Sequence, residues 1–199
     1  MRIGVLGLQG AVREHLRSLA QLEIEGRIVK KQEDLSGLSG LILPGGESTA
    51  ISLLAAGSFL EELRRLAREG FPLFGTCAGM ILLAHEVEGR EDPVIDAIDI
   101  TVARNASGRQ VDSFETVLAV EGIGEDIPAV FIRAPYVTRL GEGVTSLAQH
   151  EGSVVMAQQG NTLVSSFHPE LTDDPRIHRY FVGMVEEYIR SASKVGVNH

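Results

Sequence analysis

The chain changes its hydrophobic rhythm about halfway along. In the first half, short apolar runs alternate with segments whose apolar residues recur every three or four positions, which is how strands alternating with amphipathic helices are written. Residues 3–8 form an apolar run broken by Gly4 and Gly7, and Val12, Leu16, Leu19 and Leu22 then fall on one helical face. Residues 27–30 predict a second strand and residues 40–43 a third, apolar throughout and so expected to be buried on both faces. Beyond Pro44-Gly45-Gly46-Glu47-Ser48-Thr49, the residues Ile51, Leu53 and Leu54 predict a helix that a Ser48 or Thr49 hydroxyl can start. Another helix sets Phe59, Leu60, Leu63, Leu66 and Ala67 inward and Glu61, Glu62, Arg64 and Arg65 outward. A fourth apolar run, Pro72-Leu73-Phe74, ends in Gly75-Thr76-Cys77-Ala78-Gly79, and Met80 to Ala84 read as a helix that packs inward.

From residue 97 the pieces are short, β-branched or alternating, and punctuated by turn residues such as Gly122-x-Gly124, Gly141-x-Gly143 and Gly160-Asn161. Strands are predicted at residues 98–103, 116–120, 129–132, 144–148, 154–158 and 163–167, and the polar stretch 86–93 reads as a loop. The last element is a helix capped by Asp173 or Asp174, with Pro175 in its first turn. Its apolar stripe is Ile177, Tyr180, Phe181, Met184, Val185, Tyr188 and Ile189. After Arg190 the pattern is lost, and residues 191–199 are expected to fray. These elements predict an α/β fold: a three-layer sandwich with one mixed, mainly parallel central sheet flanked by helices, in a single domain over residues 1–190.

With 199 residues the chain has enough apolar material for one substantial core. A net charge of −9 without a Lys/Arg cluster argues against nucleic acid or an anionic membrane as partner. One cysteine cannot form an internal disulfide, no apolar run is long enough to span a bilayer, and the N-terminus has no signal-peptide profile, so the cytoplasm is expected. Cofactor motifs fail on spacing. Gly4-x-x-Gly7-x-x-Gly10 is not the dinucleotide fingerprint, and the Gly45-Gly46 turn lacks the Gly-Lys-Ser/Thr ending of a phosphate loop. No cofactor and no metal are expected.

The chemistry gathers at Cys77 and at Ser166-Phe167-His168-Pro169-Glu170. A nucleophile between small residues, at a strand-to-helix turn, sits in strained backbone that a substrate can approach. The start of the following helix and a nearby histidine favour its thiolate. Pro169 pushes His168 toward extended backbone, so that His168 and Glu170 face the same way. A carboxylate beside an imidazole fixes its tautomer and stabilises the imidazolium. Taken singly, these residues are equally consistent with an inert buried cysteine and a surface proline turn. His15, His85, His150, His178 and His199 are assigned no role.

Taken together, Gly4 to His15, Leu43 to Thr49, Arg104-Asn105, Gly108 to Glu115, Phe131 to Pro135 and Ser166 to Glu170 resemble the class I (triad) glutamine amidotransferases, and among them the branch that serves vitamin B6 synthesis. The resemblance implies hydrolysis of L-glutamine to glutamate and ammonia through a glutamyl thioester on Cys77, with His168 moving the proton and Glu170 orienting His168. It implies an oxyanion hole from the backbone of Gly46 and Ala78, and glutamine binding by Gly46, Glu47, Ser48, Arg104, Ile132 and Arg133. It also implies delivery of ammonia to a (βα)8 pyridoxal 5'-phosphate synthase subunit, whose docking is expected near Gln9-Gly10 and the Gly45-Gly46 turn. A glutaminase serving another synthase, or a non-catalytic binding or redox-sensing protein that keeps the cysteine elbow, are the alternatives.

Overall fold

The computed structural model describes residues 1–44, 57–89, 91, 94–104 and 113–195. The predicted helix over Ile51, Leu53 and Leu54 lies outside these residues. In chain order the described elements begin with β1 (Arg2–Leu6), α1 (Val12–Gln21), β2 (Glu25–Val29), β3 (Gly40–Pro44), α2 (Gly57–Arg68), β4 (Leu73–Thr76) and α3 (Ala78–Leu83). There follow β5 (Ala84–Val87), β6 (Ile98–Ala103), β7 (Phe114–Val120), β8 (Gly124–Phe131), β9 (Tyr136–Leu140), β10 (Thr145–His150), β11 (Ser153–Gln159), β12 (Thr162–Ser165) and α4 (Arg176–Val195).

Ten strands form one mixed sheet in the order β2-β1-β3-β4-β12-β11-β9-β6-β5, with β10 paired to β11. From β2 to β12 all neighbours are parallel, and the β12, β11, β9 and β6 pairings are antiparallel. Period-two alternation divides the central strands between two cores. Leu41, Leu43 and Leu73 pack with Phe59, Leu60 and Leu63 of α2 and with Met80 to Leu83 of α3. Ile3, Val5, Ile42 and Phe74 pack on the opposite face with Leu19 of α1 and with Phe181 and Val185 of α4. That arrangement is the predicted three-layer sandwich. It also explains why β3 is buried at every position and reads as a continuous apolar run.

Four expectations need correction. β7 and β8 form a separate two-stranded sheet whose Leu118, Ile127, Ala129 and Phe131 cover the core beside α1 and α4, so the sheet is not single. The loop expected from residue 86 begins as β5, because Val87 is buried and pairs in parallel with Val102. β9 has no hydrophobic signature, Val137 being its one buried residue, and the sequence pattern predicts no strand there. α4 runs on to Val195 rather than fraying after Arg190, with Ser191 to Lys194 exposed to solvent, where backbone hydrogen bonding continues a helix after its apolar stripe has ended. Residues 196–199 lie outside the described part of the expected tail.

Candidate active site

Three parallel strands end level with one another. Pro44 of β3 and Ser165 of β12 are both registered on Thr76, the last residue of β4. The connections leaving these strands therefore emerge side by side at the carboxyl edge of the sheet, where open α/β sheets gather their chemistry. Cys77 is the first residue beyond β4 and stands at the N-cap of α3, with φ 52° and ψ −111°. A side chain in that conformation costs on the order of 1–3 kcal/mol and persists only where its surroundings enforce it. The Cys77 N–H donates to the Ser165 carbonyl at 2.8 Å, tying the turn to β12. Two glycines do the rest. A Cβ on Gly75 would stand 2.5 Å from the Gly79 oxygen, and one on Gly79 would run into the Leu43 carbonyl. Only with both side chains missing can α3 fold back over β4 and press on β3.

His168 is anchored from the other side: its N–H donates to the Val130 carbonyl at 2.8 Å, linking it to the β7–β8 hairpin. Pro169–Leu171 then form a 3-10 turn, so Glu170 reaches His168 from a tight turn and not from the extended chain that the sequence suggested. The pairing holds nonetheless, with His168 Nδ1 2.6 Å from Glu170 Oε1. Glu170 is fully buried and His168 is 14% exposed. Burial by itself would lower the His168 pKa, but hydrogen bonding to Cys77 and Glu170 and the charges of both outweigh it and raise it to about 10. An imidazolium that persists at neutral pH can stabilise a neighbouring thiolate and then act as an acid.

The other expected site residues divide. Ala78 opens α3 directly behind Cys77. The Ile132 carbonyl lies 3.8 Å from Cys77 Sγ, and the next residue, Arg133, is exposed with φ 45°. These residues are brought to the rim of the cysteine. Arg104 follows β6, four strands along the sheet from β4. Gln9 and Gly10 are exposed between β1 and α1, at the same sheet edge as Cys77. Gly46, Glu47 and Ser48 lie outside the described residues. Among the described residues no group of three or more His, Cys, Asp or Glu is arranged to hold a metal ion, and no helix is long and apolar enough to cross a membrane.

Two histidines that sequence reasoning passed over lie beneath the pair. His15 of α1 and His178 of α4 are both fully buried. His15 Nδ1 is 2.8 Å from His178 Nε2, and His15 Nε2 is 3.2 Å from Thr76 Oγ1 and 3.6 Å from Glu170 Oε2. Burial, reinforced by His178 and His168, holds the His15 pKa well below the ordinary range, and burial lowers that of His178 to about 4. The available signal was a histidine inside each apolar stripe, between Val12 and Leu19 and between Ile177 and Phe181.

A cysteine elbow at the carboxyl edge of a parallel sheet, facing a histidine held by a buried carboxylate, is an arrangement suited to an α/β enzyme with a thiol nucleophile. Residues 5–187 match the family model of the SNO glutamine amidotransferase family. A pyridoxal 5'-phosphate synthase subunit PdxT from Bacillus cytotoxicus is 55% identical over 94% of this chain and 96% of its own length. Its counterpart from Anoxybacillus flavithermus is 51% identical over 94% and 98%. A crystal structure titled as a glutamine amidotransferase, 50% identical, superposes with a TM-score of 0.87 over 92% of this chain and 98% of its own. PurLQS from Thermotoga maritima shares the fold at 18% identity, with a TM-score of 0.65 over 94% and 98% of the two chains. The chain belongs to the SNO glutamine amidotransferase family.

Proposed function

We propose that this protein hydrolyses L-glutamine at Cys77, His168 and Glu170 and supplies the ammonia to a (βα)8 synthase subunit that builds pyridoxal 5'-phosphate. The observation that carries the reading is the strained Cys77 beside the hydrogen-bonded His168–Glu170 pair. Family membership and the names of the relatives support the substrate and the pathway.

In this reaction the Cys77 thiolate attacks the side-chain amide carbon of glutamine, and the carbonyl π electrons move onto oxygen. Backbone N–H groups of Gly46 and Ala78 hold that oxyanion. His168, as imidazolium, gives its proton to the amide nitrogen; the C–N bond breaks and ammonia leaves. Neutral His168 then takes a proton from water, whose oxygen attacks the thioester carbon. The C–S bond breaks, glutamate departs, and the thiolate–imidazolium pair is restored. Glu170 stabilises the imidazolium and fixes Nδ1 as its donor. Gly46, Glu47, Ser48, Arg104, Ile132 and Arg133 bind glutamine, the arginines suiting its α-carboxylate. The synthase docks near Gln9 and Gly10, orders the oxyanion hole and turns a weak glutaminase into an active one.

Glutamate release from L-glutamine, measured on the chain alone and with the synthase subunit, tests the proposal. Release that rises with the synthase and vanishes in Cys77→Ala is expected. Release that is indifferent to the synthase removes the docking step, and release that survives Cys77→Ala removes the nucleophile.

A further inference from the structure

The mechanism uses one oxygen of Glu170. The other, Oε2, is buried and has no hydrogen-bond partner among the described residues, the same condition as Nδ1 of His178. A buried carboxylate oxygen without a donor is costly, and a carboxylate held by one oxygen alone can turn about its last bond. The group facing Oε2 is His15, whose Nε2 lies 3.6 Å away, too far for a full hydrogen bond but close enough for an N–H dipole to act in a dry interior.

Which way that dipole points follows from the chain of contacts. The contact between His15 Nδ1 and His178 Nε2 requires one ring to donate and the other to accept. If His15 donated from Nδ1, its Nε2 lone pair would face the Glu170 carboxylate, and His178 would bury an Nδ1–H with no acceptor. If His178 donates from Nε2, His15 carries its proton on Nε2, directed at Glu170 Oε2 and Thr76 Oγ1, and the unmatched atom is only a lone pair on His178 Nδ1. The second arrangement avoids both repulsion and a stranded donor. Phe74 borders both rings edge-on and leaves little room for them to turn.

We propose that His15 is a positioning residue for glutamine hydrolysis: held as its Nε2–H tautomer by His178, it fixes the free oxygen of Glu170 so that the other oxygen stays on His168. The lowered pKa values of His15 and His178 agree with two neutral rings, which this tautomer chain needs. Thr76, on the same His15 nitrogen, directly precedes Cys77, so one ring braces both the carboxylate and the nucleophile's turn.

The inference rests on the triad reading above, and the test separates the two. In the chain assayed with its synthase subunit, His15→Phe keeps ring volume but loses the N–H, while His15→Gln keeps a donor at similar reach. His15→Phe is expected to lower kcat by about tenfold or more with KM within about twofold, since it disturbs a group that acts after binding. Cys77 is the single thiol, so the rate of iodoacetamide alkylation at pH 7 reports its reactivity directly. With Glu170 loosened, His168 is a weaker partner, and alkylation at pH 7 slows by at least about tenfold. His15→Gln is expected to restore both readouts to within about threefold of the parent. His15→Phe behaving like the parent, or His15→Gln failing as badly as His15→Phe, overturns the inference. If His15→Phe does not fold, ¹⁵N-histidine NMR of the parent decides: Nε2–H tautomers at both His15 and His178 support it, and an Nδ1–H at His15 overturns it. Cys77→Ala retaining activity would instead remove the triad reading itself.

Discussion

Cys77 and Glu170 meet opposite demands within one site. The cysteine is held in a backbone conformation that side chains avoid, φ 52°, which lifts its sulfur above the sheet edge and leaves it partly exposed. The carboxylate is sunk completely, where its charge finds one firm partner in His168. A buried charge is tolerated here because it keeps His168 protonated. Replacing Glu170 with Gln removes the charge and preserves the shape. The amide oxygen still accepts from Nδ1 but no longer stabilises the imidazolium, and kcat is expected to fall by about 10²- to 10⁴-fold. Steady-state kinetics at pH 7 on the variant, with an unchanged melting curve as control, provide the check. A loss under threefold would mean that the carboxylate only holds the ring in place.

At the level of elements, the site depends on how closely α3 approaches the sheet. Six residues make too short a helix to be stable alone, and α3 exists because Met80, Ile81, Leu82 and Leu83 are buried against the strands. Its first turn fits only over a strand without side-chain bulk. Gly79→Ala would set a methyl group into the Leu43 carbonyl, and backbone on both sides cannot yield as a flexible side chain would. The expected cost is at least about 3 kcal/mol, above the usual range for overpacking, which corresponds to a fall in Tm of about 6–12 °C for a chain of this size. Calorimetry measures it; a Tm within 2 °C of the parent, about 1 kcal/mol or less by the same scaling, would show that α3 can slide off β3.

Across the whole molecule, the buried histidines link stability to pH in a definite direction. His178 titrates near the ordinary 6.5 when unfolded and near 4 when folded, so acid favours the unfolded state. The stability it represents is present above pH 6.5 and is lost as pH falls toward 4, about 3 kcal/mol in all. His15 acts in the same direction. His168 has the opposite sign, because its folded value is raised to about 10: its contribution is full below pH 6.5 and declines as pH rises toward 10. Urea unfolding of the parent and of His178→Phe at pH 7 and pH 4.5 isolates the first effect, because titration common to both proteins cancels. The parent is expected to lose more stability than the variant between the two pH values, and equal losses would show that His178 is not buried neutral.

The sequence by itself determined the alternation of strand and helix through the first half, the last helix and the residues of the His168–Glu170 pair, because each is written in a local period or a short motif. The three-layer sandwich followed from those periods. Tertiary structure alone decided the rest. β9 carries one buried residue, and β5 is a short extension of α3, so only their sheet neighbours make them strands. The β7–β8 hairpin has the same alternation as a strand of the main sheet, and the pattern alone places it there, since alternation records burial on one face and not which sheet provides it. His15 and His178 are separated by 163 positions and meet only when α1 and α4 pack on the same face of the sheet. A helical stripe shows that a histidine is buried; what it touches is fixed by the packing of distant elements.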